Sequence, residues 1–209
     1  VINTCSVREH AEEKLYTRLG ELRMLEETSH RTPTIVVAGC VAQQEGKALL
    51  TKTNGHVIDL IVGTQRQKLL PMLTVEAATS ARAIVDVDPL DDVSFPLGTV
   101  KRGDAVRAYV SIIEGCNDFC AFCVVPYTRG HERMRTKAEI LADVRDAVAS
   151  GRREVQLLGQ IVNHYQAPDD PTCDFAALLE AVHEVEGLER IRFASPHPRH
   201  TTPRLIDTI

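Results

Sequence analysis

Residues 105–123 read AVRAYVSIIEGCNDFCAFC, an apolar run that leads directly into a loop with three cysteines. The β-branched and apolar composition predicts that residues 105–113 form a buried β-strand. Cys116, Cys120 and Cys123 then follow at C-x3-C-x2-C spacing. Three thiolates in one loop can bind three corners of a [4Fe–4S] cluster, whereas protein clusters usually take four cysteine ligands. An iron left open to another ligand favours a catalytic cluster over an electron carrier.

Two other kinds of site could use the same cysteines. A zinc site favours C-x2-C or C-x4-C pairs and needs a fourth ligand. His131 could be that ligand, but no paired partner follows it in the sequence. A disulfide framework is disfavoured because three of the six cysteines crowd this one loop. The spacing therefore favours an iron–sulfur cluster over zinc and over disulfides.

The overall composition narrows the class of protein. Hydrophobic residues make up 44% and charged residues 25% of the 209 residues, which is typical of globular domains. The longest apolar run, residues 35–42, is far too short to cross a bilayer, so we expect no membrane partner. Six cysteines without a disulfide pattern predict a reducing, cytoplasmic compartment. A net charge of −5 and 4% aromatic residues do not favour a broad base-stacking surface for nucleic acids.

The first part of the chain alternates strands and helices. A strand is predicted at residues 1–2, and β-branched runs predict further strands at residues 34–38, 56–62 and 83–87. Apolar residues at helical spacing predict a long helix between residues 7 and 25, and a shorter helix is predicted over residues 66–73. This alternation predicts a parallel sheet with helices on both faces. We therefore expect an α/β fold in which residues 1–95 form a fragment of a flavodoxin-like parallel sheet.

A second α/β segment is predicted over residues 104–209, after an acidic, proline-containing linker at residues 88–92. Its strands are predicted at residues 105–113, 154–158 and 190–194. Thr136 and Glu139 form a capping box at the start of a helix, and Gly151 is placed to end that helix. This βα series predicts the first half of a partial (βα) barrel.

The carboxyl ends of parallel strands share one edge of a sheet, and functional sites gather there. The cysteine loop, Gly159 with Gln160, and Ser195 each follow a predicted strand, so we expect them to face one site. The C-x3-C-x2-C loop, with Phe122 before its last cysteine, resembles that of radical S-adenosylmethionine (SAM) enzymes. This resemblance implies that the three cysteines bind a [4Fe–4S] cluster, that SAM binds its open iron, and that Phe122 lies against the adenine.

The resemblance implies further contacts with the cofactor. Gly159 and Gln160 stand where the superfamily places the methionine part of SAM, and Ser195 and Arg135 are further predicted contacts. Structural alternatives exist for several of these residues. Phe122 could be a core aromatic, Gln160 could tie strands together, and the basic run that contains Arg135 could be a solvated loop or could contact RNA phosphates.

Two further motifs resemble those of the methylthiotransferases. Residues 114–117 read EGCN and residues 124–130 read VVPYTRG, which is most similar to the branch that acts on dimethylallyl-adenosine in tRNA. The family implies transfer of a methylthio group, by radical SAM chemistry, to dimethylallyl-adenosine next to the tRNA anticodon. Ile161 and Met134 depart from the residues that the family leads us to expect. Alternatives are methylthiolation of threonylcarbamoyl-adenosine in tRNA or of a ribosomal-protein aspartate and, outside the class, a non-catalytic iron–sulfur or zinc RNA-binding protein.

Cys5 and Cys40 each follow a predicted strand of the first segment. By themselves, two such cysteines are usually small buried residues. The family implies a second, auxiliary [4Fe–4S] cluster bound by three cysteines of this domain, of which these would be two. The third strand ends at Gly63 and Thr64 without a thiol, so we expect the third ligand upstream of Val1. On this interpretation the chain is a fragment, its second cluster is incomplete, and it is inactive alone.

The family also implies partners for the reaction. These are a tRNA substrate, an electron donor such as flavodoxin or ferredoxin, and a sulfur donor. Cys173 has no partner cysteine nearby in the sequence, and we expect it to be a free cysteine without a role.

Overall fold

The computed structural model describes five segments of the chain, which form two compact units. The described residues are 1–6, 9–29, 33–53, 58–89 and 102–209. The first unit consists of Val1–Asp91 together with Cys120–Gly130, and the second of Asp92–Phe119 together with His131–Ile209. The predicted domain boundary at residue 95 and most of the predicted linker lie outside the described residues.

The first unit contains a four-stranded parallel sheet. Its strands are β1 Ile2–Thr4, β2 Val36–Gly39, β3 Leu60–Val62 and β4 Ile84–Asp86, hydrogen-bonded in that order. Every residue of β2 and β3 is buried. Parallel strands with both faces covered read as continuous apolar runs rather than as alternating ones. This is why these strands could be predicted from the sequence.

Helices cover both faces of this sheet. Among the described residues of the first unit the α-helices are α1 Glu9–Ser29, α2 Cys40–Glu45, α3 Ala48–Lys52, α4 Leu70–Thr79 and α5 Val125–Arg129. Val37 and Ile61 pack in a core cluster with α1, α2 and α3, whereas Val36 and Leu60 pack in a separate cluster with α4. Alternate residues of one strand thus face opposite layers. None of the helices in the described segments is long and apolar enough to span a bilayer.

The helix predicted over residues 66–73 proves to be two elements. A 3-10 helix runs over Thr64–Leu69, and α4 follows it directly and continues to Thr79. Pro71 lies in the first turn of α4. Proline suits that position because its fixed φ matches the helix, but it has no N–H to donate to the preceding turn. A continuous α-helical hydrogen-bond ladder therefore cannot pass through residue 71.

The second unit contains a three-stranded parallel sheet and a small two-stranded antiparallel sheet. The sheet has the order β5 Arg107–Ser111, β8 Glu154–Leu158 and β9 Arg190–Phe193, and β6 Ile113–Glu114 pairs antiparallel with β7 Arg133–Met134. The helices are α6 Lys137–Ala149, α7 Phe175–His183 and α8 Pro203–Thr208. One apolar cluster joins these helices to the sheet. The predicted α/β class with parallel sheets is confirmed.

The strand predicted over residues 105–113 is interrupted at Ile112. The N–H of Ile112 donates to the carbonyl oxygen of Leu158 at 2.8 Å, while its own carbonyl oxygen accepts from the N–H of Arg135 at 3.0 Å. The chain therefore leaves the parallel sheet at this residue, and Ile113 begins β6 of the antiparallel pair. The apolar run does not reveal the change, because Ile112 and Ile113 are both buried.

Both ends of α6 follow the sequence prediction. The hydroxyl of Thr136 accepts from the N–H of Glu139 at 3.2 Å, and the Glu139 carboxylate accepts from the N–H of Thr136 at 3.1 Å. This reciprocal pair is a capping box. At the other end Gly151 has a φ of 90°, and its N–H donates to the carbonyl oxygen of Val148. The left-handed conformation at this position favours glycine.

Candidate cluster and cofactor site

Cys116 lies in the second unit, just after β6, and its thiol is buried. The backbone N–H of Asp118 donates to Cys116 Sγ at 3.4 Å. The Asp118 carboxylate in turn accepts two hydrogen bonds from Arg199 Nη1, each 3.1 Å long. Gly115, with a φ of 75°, makes the turn that leads into the loop. Hydrogen bonds to ligand sulfur atoms stabilise the thiolate and tune a bound cluster, so this setting suits a cluster ligand.

Cys120 and Cys123 belong to the first unit, in the segment Cys120–Gly130. The N–H of Cys123 donates to the carbonyl oxygen of Cys120 at 2.9 Å, which closes a tight turn between them. Cys120 is exposed and Cys123 is half-buried. The Phe122 side chain within this turn is 93% exposed. The alternative interpretation of Phe122 as a core aromatic is therefore wrong.

All six cysteines of the chain are free thiols. Burial raises the pKa of the Cys173 thiol, so its thiolate is the less available form. In the part of the chain that the structure describes, no group of three or more His, Cys, Asp and Glu side chains is arranged to bind a metal ion. The donor chemistry of the cysteine loop fits an iron–sulfur cluster, and its ligand assignment remains a prediction.

Gly159 and Ser195 lie at the carboxyl ends of β8 and β9. A β-carbon on Gly159 would lie 3.1 Å from Ile113 Cβ and 3.3 Å from Val162 Cα, so the backbone passes here at a distance that only glycine tolerates well. Ser195 has a φ of 61°, and among the described residues no other non-glycine has a positive φ. Its carbonyl oxygen accepts from the N–H of Val162 at 3.3 Å. These contacts bring the turn that contains Gln160 next to Ser195, as the strand order predicts.

Arg135 lies inside the second unit, with a side chain only 2% exposed. Its Nη1 donates to the carbonyl oxygen of Ser111 at 3.0 Å and to Asp143 Oδ2 at 3.1 Å. The hydroxyl of Tyr165 donates to its backbone carbonyl oxygen at 2.9 Å. This arrangement makes Arg135 a structural residue that joins β5 to α6. The cofactor contact predicted for Arg135 stays a prediction.

Three histidines that show no metal-binding spacing in the sequence lie together near Ser195. The ring centroids of His164 and His200 are 4.2 Å apart, and those of His197 and His200 are 6.0 Å apart. Burial, followed by the charge of His164, lowers the pKa of His200. Asn163 Nδ2 donates to the carbonyl oxygen of His197 at 2.9 Å. The group therefore helps to join the turn after β8 to the segment after β9.

Cys5 and Cys40 follow adjacent strand ends of the first unit. Thr4 of β1 pairs in register with Gly39 of β2, so each cysteine directly follows one of two paired strand ends. The hydroxyl of Thr4 donates to the carbonyl oxygen of Ala38 at 2.7 Å. Gly39 has a φ of 101°, and a β-carbon on it would overlap the carbonyl oxygen of Thr4. This close approach holds the two cysteine-bearing ends together.

The third strand end of this edge carries no thiol, as the sequence shows at Gly63 and Thr64. Instead, Gln43 of α2 ties this end to its neighbours. Its Oε1 accepts from the N–H of Thr64 at 3.2 Å, and its Nε2 donates to the carbonyl oxygen of Val87 at 2.8 Å. Sequence reasoning missed this residue. The feature of the sequence that could have pointed to Gln43 is its position on the helix that begins at Cys40.

Comparison with known proteins gives two family matches. Residues 1–63 match the model described as "Uncharacterized protein family UPF0004", and residues 110–209 match that of the "Radical SAM superfamily". Proteins from Thiobacillus denitrificans and Koribacter versatilis, each named tRNA-2-methylthio-N(6)-dimethylallyladenosine synthase, are 43% and 42% identical to this chain over 99% of its length. A protein of the same name from Neisseria meningitidis is 41% identical. The chain covers 46% or 47% of each, about half the length of these relatives.

One solved structure has a similar fold. It is the radical S-adenosylmethionine methyltransferase TsrM from Kitasatospora setae, determined with tryptophan substrate and a SAM analog bound. The TM-score is 0.57, and the alignment covers 100% of this chain and 45% of that protein at 15% identity. An identity this low supports the fold alone. The family match over residues 110–209 confirms the resemblance predicted from the cysteine loop. The chain therefore carries a UPF0004 domain ahead of a radical SAM domain.

Proposed function

We propose that this chain is part of an enzyme that transfers a methylthio group to dimethylallyl-adenosine next to the anticodon of tRNA. The observation that carries the proposal is 41–43% identity, over 99% of the chain, to relatives named tRNA-2-methylthio-N(6)-dimethylallyladenosine synthase. Those names favour the dimethylallyl nucleoside over threonylcarbamoyl-adenosine and over a ribosomal-protein aspartate as the substrate.

Membership of the radical SAM superfamily implies SAM and a [4Fe–4S] cluster. Cys116, Cys120 and Cys123 would bind this cluster. When bound, the cluster and SAM provide the radical chemistry that an unactivated aromatic C–H bond requires. The chain's own residues would bind the cluster and orient the cofactor. The Asp118 N–H that donates to Cys116 Sγ supports a thiolate there, and the exposed ring of Phe122 is accessible to an adenine.

The carboxyl edge of β8 and β9 would contact the rest of SAM. Gly159, Gln160 and Ser195 lie at this edge, and the space around Gly159 admits no side chain without a shift of Ile113. Because Gly159 has no side chain, its main-chain N–H and C=O groups are the polar atoms that it offers to a ligand. The proposed contacts therefore use main-chain groups of Gly159 and Ser195 and the side chain of Gln160.

Cys5 and Cys40 would be two ligands of an auxiliary [4Fe–4S] cluster in the UPF0004 domain. The in-register pairing of Thr4 with Gly39, which places the cysteines on neighbouring strand ends, supports this assignment. The proposed partners are tRNA, an electron donor such as flavodoxin or ferredoxin, and a sulfur donor.

Nucleoside analysis of tRNA tests this function. In a strain in which the gene that encodes this chain is deleted, mass spectrometry should show loss of the 2-methylthio derivative of dimethylallyl-adenosine and accumulation of the nucleoside without the methylthio group. Re-expression of the gene should restore the derivative, and re-expression with Cys120→Ala should not. Loss of a methylthio group from threonylcarbamoyl-adenosine instead, or an unchanged nucleoside pattern, would contradict the proposed substrate.

A further inference from the structure

The segment Cys120–Gly130 follows the cysteine loop in the sequence, yet it packs as part of the first unit. We infer that Thr64 and Gln65 are positioning residues, which fix α5 and thereby the turn that carries Cys120 and Cys123. The inference rests on the proposed function in one respect, namely that these two cysteines bind the cluster.

Two side-chain hydrogen bonds hold the end of α5. Thr64 Oγ1 donates to the carbonyl oxygen of Thr128 at 2.5 Å, and Gln65 Nε2 donates to the carbonyl oxygen of Arg129 at 2.8 Å. The last carbonyls of a helix have no partner within the helix, and α5 has only five residues. Thr128 is also 2% exposed, so water does not reach its carbonyl freely. Thr64 therefore satisfies an acceptor on a buried residue, which would be costly to leave unpaired, and Gln65 satisfies one on the half-buried Arg129.

The residue after α5 is shaped for this contact. Gly130 has a φ of 75°, in the left-handed region that favours glycine. A β-carbon built on Gly130 would overlap Gln65 Nε2. The close approach of Gln65 thus depends on the absence of a side chain at position 130. This is evidence independent of the hydrogen bonds that the contact is specific.

The segment that carries Thr64 and Gln65 is itself held by hydrogen bonds to neighbouring elements. The N–H of Gly63 donates to the carbonyl oxygen of Asp86 at 2.8 Å, and the N–H of Thr64 donates to Gln43 Oε1 at 3.2 Å. Arg66 Nε donates to the Asp86 carboxylate at 2.6 Å. A side chain on a rigid element positions its partner better than one on a loose loop.

Fixing α5 also restrains the cysteines that precede it. Val124 is the residue before α5, and Cys123 directly precedes Val124. The N–H of Cys123 closes the turn onto Cys120 at 2.9 Å. Release of α5 should therefore loosen both thiols, so that a cluster bound to them becomes more accessible to a chelator.

Amide hydrogen exchange of the chain without a cluster tests the contact directly. Thr64→Val removes the hydroxyl with little change of shape and should speed exchange of residues 125–130 about fivefold, the effect of one net hydrogen bond. Thr64→Ser should leave exchange near the wild-type rate. Thr74→Val is the matched control, because Thr74 donates to the carbonyl oxygen of Leu70 at 2.7 Å in α4 of the same unit. It should not affect residues 125–130.

A second variant approaches the contact from the other side. Gly130→Ala places a methyl group against Gln65 Nε2 and should speed exchange of the same residues. Unchanged exchange in both Thr64→Val and Gly130→Ala would overturn the inference. An equal increase in Thr74→Val would overturn it as well, because the effect would then reflect general loosening of the unit.

The link to the cluster is tested in anaerobically reconstituted chain. Chelator-driven loss of iron, followed by visible absorbance, should be about fivefold faster in Thr64→Val than in the wild type, and normal in Thr64→Ser and Thr74→Val. Faster exchange with an unchanged rate of iron loss would overturn the positioning role. If the wild-type chain bound no iron at Cys120 and Cys123, the proposed function would fail, whereas the exchange data would still report on the contact.

Discussion

Asp143 on α6 lies between two buried arginines, and its replacement should destabilise the second unit strongly. Arg135 Nη1 contacts Asp143 Oδ2 at 3.1 Å and Arg102 Nη2 contacts Oδ1 at 2.5 Å, with side chains that are 2% and 7% exposed. Asp143→Asn keeps the shape but removes the negative charge. It also presents an NH2 group to one guanidinium, so both arginines would lose the buried carboxylate that they share.

The expected loss of stability follows from the burial of the two arginine side chains. Removing one partner of a buried ion pair typically costs about 3–5 kcal/mol. Because Asn retains one side-chain oxygen, the expected loss is at the lower end, about 3 kcal/mol. Asp146→Asn is the matched control on the same helix. Asp146 also contacts Arg102, but at 3.5 Å and with a side chain that is 46% exposed. An exposed pair of this kind contributes less than about 1 kcal/mol.

Amide hydrogen exchange of α6, measured by mass spectrometry, reports on the stability of the second unit separately from that of the first. A loss of about 3 kcal/mol should speed exchange of the most protected α6 amides by about a hundredfold in Asp143→Asn. The change in Asp146→Asn should be within about fivefold. Similar exchange rates in the two variants would refute the reasoning, since they would show that burial of the arginines does not set the cost.

Two further predictions concern the second unit. The Glu154 carboxylate is buried at the start of β8, and although burial alone would raise its pKa, three arginine side chains of β5 and β9 hold the pKa at about 2, below the ordinary 4.5. Its charge should therefore stabilise the unit fully above pH 4.5, and this contribution should be lost as the pH falls toward 2. In urea titrations between pH 5 and 2, the free energy of unfolding of Glu154→Gln should depend less on pH than that of the wild type. Gly159→Ala should cost about 1–3 kcal/mol in the same titrations because its methyl group would crowd Ile113, whereas Gly103→Ala, which meets no atom within 4 Å, should be nearly neutral.

Much of the fold could be predicted from the sequence where local pattern and tertiary environment agree. β8 was predicted with the observed bounds, Glu154–Leu158, where the apolar residues Val155 and Leu157 are buried. The capping box of α6 was predictable since both partners lie within one turn. The break at Ile112 was not predictable, because the parallel sheet and the β6–β7 pair bury the same kind of side chain.

The candidate site divides in the same way. The spacing of the cysteine loop is a local property, and it predicted the radical SAM family that the comparisons confirm. The packing of Cys120–Gly130 with the first unit depends on Thr64 and Gln65, which are about 60 residues away in the sequence and carry no motif of their own. Contacts of this range leave no periodic signal in a single sequence, so they could be found only from the structure.

The most direct test of the central claim is electron paramagnetic resonance of the reduced, reconstituted chain with and without SAM. A Cys5→Ala/Cys40→Ala variant leaves the cysteine loop as the predicted cluster site. This variant should retain about four irons per chain, and its signal should change when SAM is added. Cys173→Ala in the same background should behave identically, and Cys120→Ala should lose the iron and the signal. Iron retained in Cys120→Ala, or a signal that SAM leaves unchanged, would contradict the claim that this loop binds a SAM-binding cluster.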